Sequence, residues 1–425
     1  MDMDLVLHII VAVVKIAIVL GIVLGFVQIL IWMERKGAAY FQDRRGPNRA
    51  NIFGIRLGGV IHNVADSIKL FMKEEFFPAG ANRFYFILAP FITMFIYFVV
   101  TAVIPFGDNL KLGNFTTSLR ISDLNVGVLY IFSMASLAVY GIMLAGWSSN
   151  NKYSLLGGLR ASSQMISYEI TLGLAVVSLF MVAGSVDLND IVRNQGPTPW
   201  SWNVFRQPLA FVLFLIASFA EANRTPFDLP EGDSELVAGF HVEYSSMKFA
   251  LFMMGEYVAI VVSSAVIVSL FFGGWQVPFL ATSDLIQGAS IFLPVAGLGV
   301  SLLVFLIGVL LLSKFRLKKY KDARKYEVLV LGLSAITVAV VLALFVYGGG
   351  FAHLSDWTPP VFAAAAQVAT FFLKVFLMCF FFIWIRWTLP RFRYDQLMSF
   401  GWKGMLPLAL ANILITGVFL LIFPA

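Results

Sequence analysis

Cysteine is all but missing from this chain. Cys379 is the only one in 425 residues, and it lies inside an apolar run. One thiol can neither close an internal disulfide nor hold an iron–sulfur cluster by itself. Histidine is nearly as scarce. His8, His62, His241 and His353 all avoid the middle of the apolar runs, which argues against a membrane haem with two histidine ligands. Metal and redox cofactors are therefore not expected in this chain, and any electrons must come from a partner. Charge is scarce as well. Only 13% of the residues are charged and 60% are hydrophobic, whereas soluble domains carry about 25% charged residues. The net charge of +6 is spread over several short loops. That excludes the concentrated basic patch of a nucleic-acid binder. The N-terminus, Met-Asp-Met-Asp, lacks the basic start and small-residue cleavage site of a signal peptide.

What is present is a series of long apolar runs. A membrane-crossing helix needs about 20 mostly apolar residues. Ten runs qualify: 5–32, 84–104, 125–147, 163–184, 204–221, 246–273, 291–313, 327–348, 362–386 and 403–423. The expected fold is an all-α polytopic bundle, and the first run is long enough to tilt or project beyond the bilayer. Orientation follows from Lys and Arg. The odd-numbered loops with their flanks hold 24 of the 30, and the even-numbered loops hold four: Lys111, Arg120, Arg193 and Arg206. Lys15 and Lys374 fall within runs. The odd loops are expected to face the cytoplasm and both termini the other side. One missed helix would scramble this parity.

Between the first two runs, residues 57–73 place Leu57, Val60, Ile61, Val64, Ile68 and Phe71 at helical spacing, with His62, Asn63, Asp66, Lys69 and Lys73 between them. This pattern predicts an amphipathic helix at the membrane interface, or a loop helix packed on the bundle.

The stretch 221–248, EANRTPFDLPEGDSELVAGFHVEYSSMK, breaks the charge rule. It carries Glu221, Asp228, Glu231, Asp233, Glu235 and Glu243 against Arg224 and Lys248. A solvated acidic loop is one reading. The apolar residues interleaved with the acids support the other, a packed segment with partly buried carboxylates, whose raised and coupled titration would suit proton uptake. Glu169 and Glu256 fall inside apolar runs. Ionisable groups there are costly and commonly mark ion paths, with a buried structural pair as the alternative; Lys374 and Lys15 pose the same choice. The first loop, ERKGAAYFQDRRGPNR, is dense in Arg and turns at Gly46-Pro47. It satisfies the charge rule and also suits docking of a soluble partner.

Together these segments resemble the H subunit of the proton-pumping NADH-quinone oxidoreductase, respiratory complex I. The matching motifs are ERKGAAYFQDRRGPNR, VADSIKLFMKE, SSQMISYE, AEANRTPFDLPEGDSELVAGFHVEYSSMKFALFMMGEY, FFGGW and FFLKVFLMCFFFIWIRWTLPRFRYDQLMSFGWKGMLPLAL. The resemblance spans about 5–280 and 362–423. It implies a bacterial inner-membrane subunit that forms the membrane side of a quinone chamber. Quinone would be the substrate of the whole complex, with FMN and iron–sulfur clusters in partner subunits and no redox activity in the isolated chain. Iron–sulfur quinone-site subunits, small and antiporter-like membrane subunits and lipid would be its partners. Carried over by motif, the charge-relay candidates are Glu169, Glu221, Asp228, Glu231, Asp233, Glu235, Glu243 and Glu256. Arg224 would be a charge partner, and Glu34, Arg35, Lys36, Arg44, Arg45 and Asp66 would line or dock near the chamber. The homologous subunit of a membrane-bound hydrogenase or ferredoxin-linked complex is the alternative, though its central motif is usually shorter. Two departures stand out. The family commonly has Leu-Leu-Gln-Pro in the stretch where this chain has His62 and Asn63. Residues 281–361 read as an inserted pair of spans, dividing the chain into 1–280, 281–361 and 362–425.

Overall fold

The computed structural model describes residues 3–112, 115–228, 239–316, 324–348 and 357–423. Three of the expected acids, Glu231, Asp233 and Glu235, lie outside the described residues. Among those described, nine helices are long and apolar enough to cross a membrane, and a tenth apolar helix, Pro208–Glu221, is shorter. The chain is a polytopic all-α membrane protein.

In chain order the helices are α1 (Met3–Phe41), α2 (Ile61–Met72), α3 (Arg83–Val100), α4 (Gly127–Ser148), α5 (Lys152–Ala183), α6 (Leu188–Gln195), α7 (Asn203–Arg206), α8 (Pro208–Glu221), α9 (Ser246–Phe271), α10 (Thr282–Gln287), α11 (Ala289–Arg316), α12 (Arg324–Tyr347), α13 (Thr358–Thr388), α14 (Tyr394–Ser399) and α15 (Leu406–Ile422). A two-stranded hairpin, β1 (Leu110–Leu112) with β2 (Phe115–Thr117), follows α3. Helix α1 has 39 residues, about 58 Å at 1.5 Å per residue. It therefore outruns a bilayer, as its sequence predicts, and its excess carries the Arg-rich first loop. A π-helical turn, Phe400–Met405, joins α14 to α15.

Helix α9 is the axis of the bundle. In its most apolar window 72% of the residues are buried, and α1, α3, α8 and α13 all pack on it. The hairpin α11–α12, within the expected insertion, is the opposite case. Its helices pack chiefly on each other, with 11% and 17% of their windows buried. Lipid or partner surfaces must cover the rest. Close packing rests on small residues. A Cβ on Gly141 would lie 2.2 Å from Thr93 Oγ1 of α3, and one on Gly146 would lie 2.6 Å from Ser154 O of α5.

The span expected at 204–221 is broken at Gln207–Pro208 into α7 and α8. Helix α8 has 14 residues, about 21 Å, and it runs only from the end of α9 back to its middle. Near its start Asn203 Nδ2 donates to Leu270 O at the end of α9 (2.8 Å). At its finish Glu221 shares a small cavity with Glu256. A helix this short can end inside the bundle because irregular backbone flanks it within protein, where side chains satisfy the freed polar groups. Gln164 of α5 donates to Ala220 O (2.9 Å) and Phe227 O (2.8 Å), holding the buried segment Ala222–Asp228.

Both lysines inside apolar runs are staples at the end of the bundle opposite the Arg-rich loops. Lys374 Nζ donates to the carbonyls of Phe272 (2.9 Å), Gly274 (3.0 Å) and Gln276 (2.7 Å), and lies 4.4 Å from the centre of the Trp202 ring. It satisfies carbonyls that the end of α9 leaves without helical partners. Lys15 Nζ donates to Thr117 Oγ1 (2.8 Å), Ser118 O (2.7 Å) and Arg120 O (3.2 Å), fixing α1 to the β-hairpin. Of the two readings open to these lysines, these contacts fit the structural one. Lys374→Met is expected to strip three charge-assisted bonds and cost about 3 kcal/mol. A fall in the thermal midpoint of the detergent-solubilised complex measures it; an unchanged midpoint would refute the staple.

Candidate functional site

At the Arg-rich end of α1, Glu34 and Arg35 are neighbours in sequence and face different ways. Glu34 turns into the bundle. Its Oε1 accepts from Arg386 Nη1 of α13 (2.5 Å), and its Oε2 accepts from the Tyr257 hydroxyl of α9 (2.9 Å). Arg224, in the buried segment after α8, reaches both sides of this group. Its Nη1 lies 3.7 Å from Glu34 Oε2 and its Nη2 3.5 Å from Glu256 Oε2. Its guanidinium carbon sits 4.3 Å from the centre of the Tyr257 ring, a cation–π position. Arg224 is 6% exposed and Glu256 9%, so screening by water is weak and the charges must balance internally. Two carboxylates and two guanidiniums do so.

The line of acids continues past this cluster. A cavity of about 10 Å³ separates Glu256 from Glu221, with Tyr97, Thr93 and Asn223 in its wall. A second, of about 20 Å³, lies on the other side of Glu221 and again touches Tyr97. Each has room for about one water, and although most of each wall is apolar, Glu221 and the Tyr97 side chain border both. Glu221 thus bridges two water-sized spaces. Its neighbour in charge is Glu169 of α5, whose carboxylate is bonded by the Ser136 hydroxyl of α4.

The other expected acids stand apart from this line. Asp228 Oδ2 accepts from Arg391 Nη2 (2.9 Å). Beside it, Phe227 stacks on Phe392 (centroids 5.7 Å). Glu243 Oε1 accepts from Asn151 Nδ2 (2.7 Å), while the same amide's oxygen caps the first turn of α5 by accepting from Tyr153 N (2.9 Å). The segment Gly239–Glu243 lies tightly on α5, where Ser154 Oγ donates to Phe240 O (2.8 Å). A Cβ on Gly157 would lie 2.7–2.8 Å from the backbone of Gly239. Both described ends of the acidic stretch are therefore packed, as the interleaved apolar residues imply.

Helix α2 docks on α1 through polar contacts. Arg35 pairs with Asp66, and Asn63 Nδ2 donates to Gln28 O (2.6 Å). Ser246 Oγ donates to Leu70 O (2.8 Å) at the far end. The apolar face, Val64, Ile68 and Phe71, is exposed, which suits a helix lying at a membrane surface. His62 Nε2 accepts the backbone N–H groups of Arg49 (2.9 Å) and Ala50 (3.1 Å). The two residues that depart from the usual family pattern thus pin the first loop and α2 in place. Lys36 Nζ donates to Arg45 O (3.2 Å) and Arg44 Nε to Gln42 Oε1 (2.6 Å). Arg44 and Arg45 are exposed and do not reach the acid line.

Residues 14–323 and 323–417 match the family described as NADH dehydrogenase. A protein of Cytophaga hutchinsonii, named as the first of its NADH-quinone oxidoreductase H subunits, is 42% identical over 392 residues, covering 92% of this chain and 91% of the relative. The chain belongs to the family of NADH-quinone oxidoreductase H subunits. The H subunit of Flavobacterium johnsoniae is 40% identical over 96% of this chain and 94% of its own length. A third relative of the same name, from Solibacter usitatus, is 40% identical over 96% of each.

Sequence reasoning placed Glu34, Arg224, Glu256, Glu221 and Glu169 in the site of this NADH-quinone oxidoreductase family member and overlooked Arg386, Arg391, Tyr257 and Tyr97. Arg386 had a readable signal: it ends the apolar run FFFIWIRW, where a cation is costly unless paired. The tyrosines had none, since 13 are scattered through the chain.

Replacing Arg224 by Met is expected to leave two buried carboxylates short of a cation and to destabilise the complex by about 3–5 kcal/mol, read as loss of yield and thermal midpoint. A normal yield would show that the cluster is not held by charge. The Asp66 carboxyl responds to pH differently. Burial works to raise it, and Arg35 and Lys69 more than offset that, holding it below its ordinary 3.8. The docking contribution is thus full above the ordinary value and lost as pH falls below it. A spin-label distance between α1 and α2 should hold from pH 7 to 5 and lengthen only in stronger acid; in Asp66→Asn it should be long throughout.

Proposed function

We propose that this chain forms the membrane-side wall of the quinone chamber in an NADH-quinone oxidoreductase and passes charge from that chamber into the membrane arm. The observation that carries this reading is the series Glu34, Arg224, Glu256 and Glu221, with a water-sized cavity on either side of Glu221 and the charge of Glu169 felt beyond it. Carboxylates separated by single waters can hand protons on without exposing them to lipid.

The series begins where α1, α9 and α13 meet at the Arg-rich end, taken here as the cytoplasmic face. A change in charge on a quinone headgroup near Glu34 would be felt first by Arg224 and Arg386, which hold that carboxylate. Arg224 also holds Glu256, so a shift of its guanidinium toward one partner weakens its hold on the other. Proton affinity at Glu256 would then change with the charge state near Glu34, and Glu221 would answer through the intervening water. Asp228 and Glu243, each tied to its own partner, would position the ends of the loop between them. Flavin and iron–sulfur chemistry would fall to neighbouring subunits, and the complex would sit in the bacterial inner membrane.

The test is Glu221→Gln in the intact complex. The amide keeps the shape and hydrogen bonding but cannot carry the proton charge. Coupled quinone reduction and proton pumping are expected to fall by about 10-fold or more, as for loss of a proton-transfer group, with assembly retained. Electron transfer from NADH to a soluble acceptor that bypasses quinone should be unchanged. Normal pumping in this variant would remove Glu221 from the path.

A further inference from the structure

A second charged space lies on the other side of α1. Trp32, Lys36 and Tyr40 are four residues apart and share one face of the helix, while Glu34, two residues from Trp32 and from Lys36, points away from that face. The hairpin α11–α12 leans toward this face without closing on it. Its contact with the first loop runs through Glu327, whose Oε1 accepts from Leu57 N (2.7 Å). Between them is a cavity of about 700 Å³.

Two kinds of group line it. Among the described residues, Lys36, Arg45, Arg56 and Lys314 face it as cations, against the one carboxylate of Glu327. Apart from Asn48, the rest of the wall is apolar or aromatic, with Leu311 and Leu331 from the hairpin and Trp32 and Tyr40 from α1. Neighbouring hairpin residues such as Leu310 and Val330 are exposed, so the apolar wall runs on into surface that only lipid or another membrane segment can cover.

We propose that this cavity seats the phosphate headgroup of an anionic phospholipid, with its acyl chains lying along the α11–α12 hairpin. Arg and Lys recognise phosphate by charge-assisted hydrogen bonds. Basic pockets between membrane helices on the cytoplasmic side suit such headgroups, and Trp and Tyr favour the same depth. An excess of three positive charges over a water-filled gap needs an anion. An acidic protein segment would match the cations but not the apolar wall that continues down the hairpin; a lipid matches both. The bound lipid would wedge the peripheral hairpin against α1 and the first loop. That gives the expected insertion a role independent of the acid line.

The test uses the intact complex, purified through this chain and placed in nanodiscs containing a photoreactive phosphatidylglycerol. Cross-linked peptides are expected around Leu311 and Leu331. Competition should come from unlabelled phosphatidylglycerol, and much less from phosphatidylcholine. Arg56→Gln with Lys314→Gln should cut the labelling by about tenfold, the scale of one lost charge-assisted contact. Complex yield and quinone reduction should stay as in the parent. Lys314→Gln alone, at an exposed position, should lower labelling in the same direction. Glu327→Gln should raise it, since the amide oxygen can still accept from Leu57 N.

Equal competition by phosphatidylcholine would overturn the proposal, since the cations would then play no part. Displacement by inorganic phosphate at equal concentration would make this a free-phosphate site. Cross-linking of Lys314 to an acidic segment of a neighbouring protein, in place of lipid, would make it a protein interface. Unchanged labelling in the double variant would sink the idea outright.

Discussion

Glu34 and Glu256 stand inside an apolar bundle because Arg224 and Arg386 stand with them. Removing an ion from water costs several kcal/mol even after relaxation, and only close, hydrogen-bonded partners return it. The four charges come from α1, the segment after α8, α9 and α13. No two adjacent helices could assemble this group, so balancing it requires the bundle to close in one arrangement. The single change with the widest reach is therefore at Arg224, which touches two of the acids and lies over Tyr257.

The two ends of the bundle use polar groups differently. At the Arg-rich end they are gathered into a connected set, joined by shared partners and small cavities. At the other end they are tied off one by one. Lys374 and Lys15 each take three acceptors, Asn203 and Gln195 take carbonyls at the end of α9, and Arg120 pairs with Asp123 and Asp187. A tied-off group joins the elements it bonds. A group that shares its partner with a second acid and borders a cavity is coupled to its neighbours instead. That contrast separates Glu256 from the two lysines, although all three looked alike as charges in apolar runs.

The hairpin α11–α12 shows the limit of the core. It shares almost no buried surface with α9, so packing alone does not hold it in register with the first loop. The Glu327 contact with Leu57 and whatever fills the adjacent cavity do more of that work. Helix α2 is held on α1 in a similar way, by Arg35–Asp66 and Asn63, with its apolar face left outward.

The membrane class, the long spans and the 24-to-4 division of Lys and Arg follow from composition and period, because a bilayer imposes length and charge rules on each segment separately. The motif resemblance likewise located the acids before any packing was known. Three things could not be read that way. The fifth span is a 14-residue helix with buried irregular flanks, which exists only because Gln164 from α5 satisfies the backbone beside it. Glu34 and Arg35, adjacent in sequence, serve different helices because a turn of about 100° per residue points them apart. Arg386 meets Glu34 across 352 positions of chain. Local sequence fixes which residues are charged and where helices run; which charges neutralise one another depends on how helices pack, and only the closed bundle decides that.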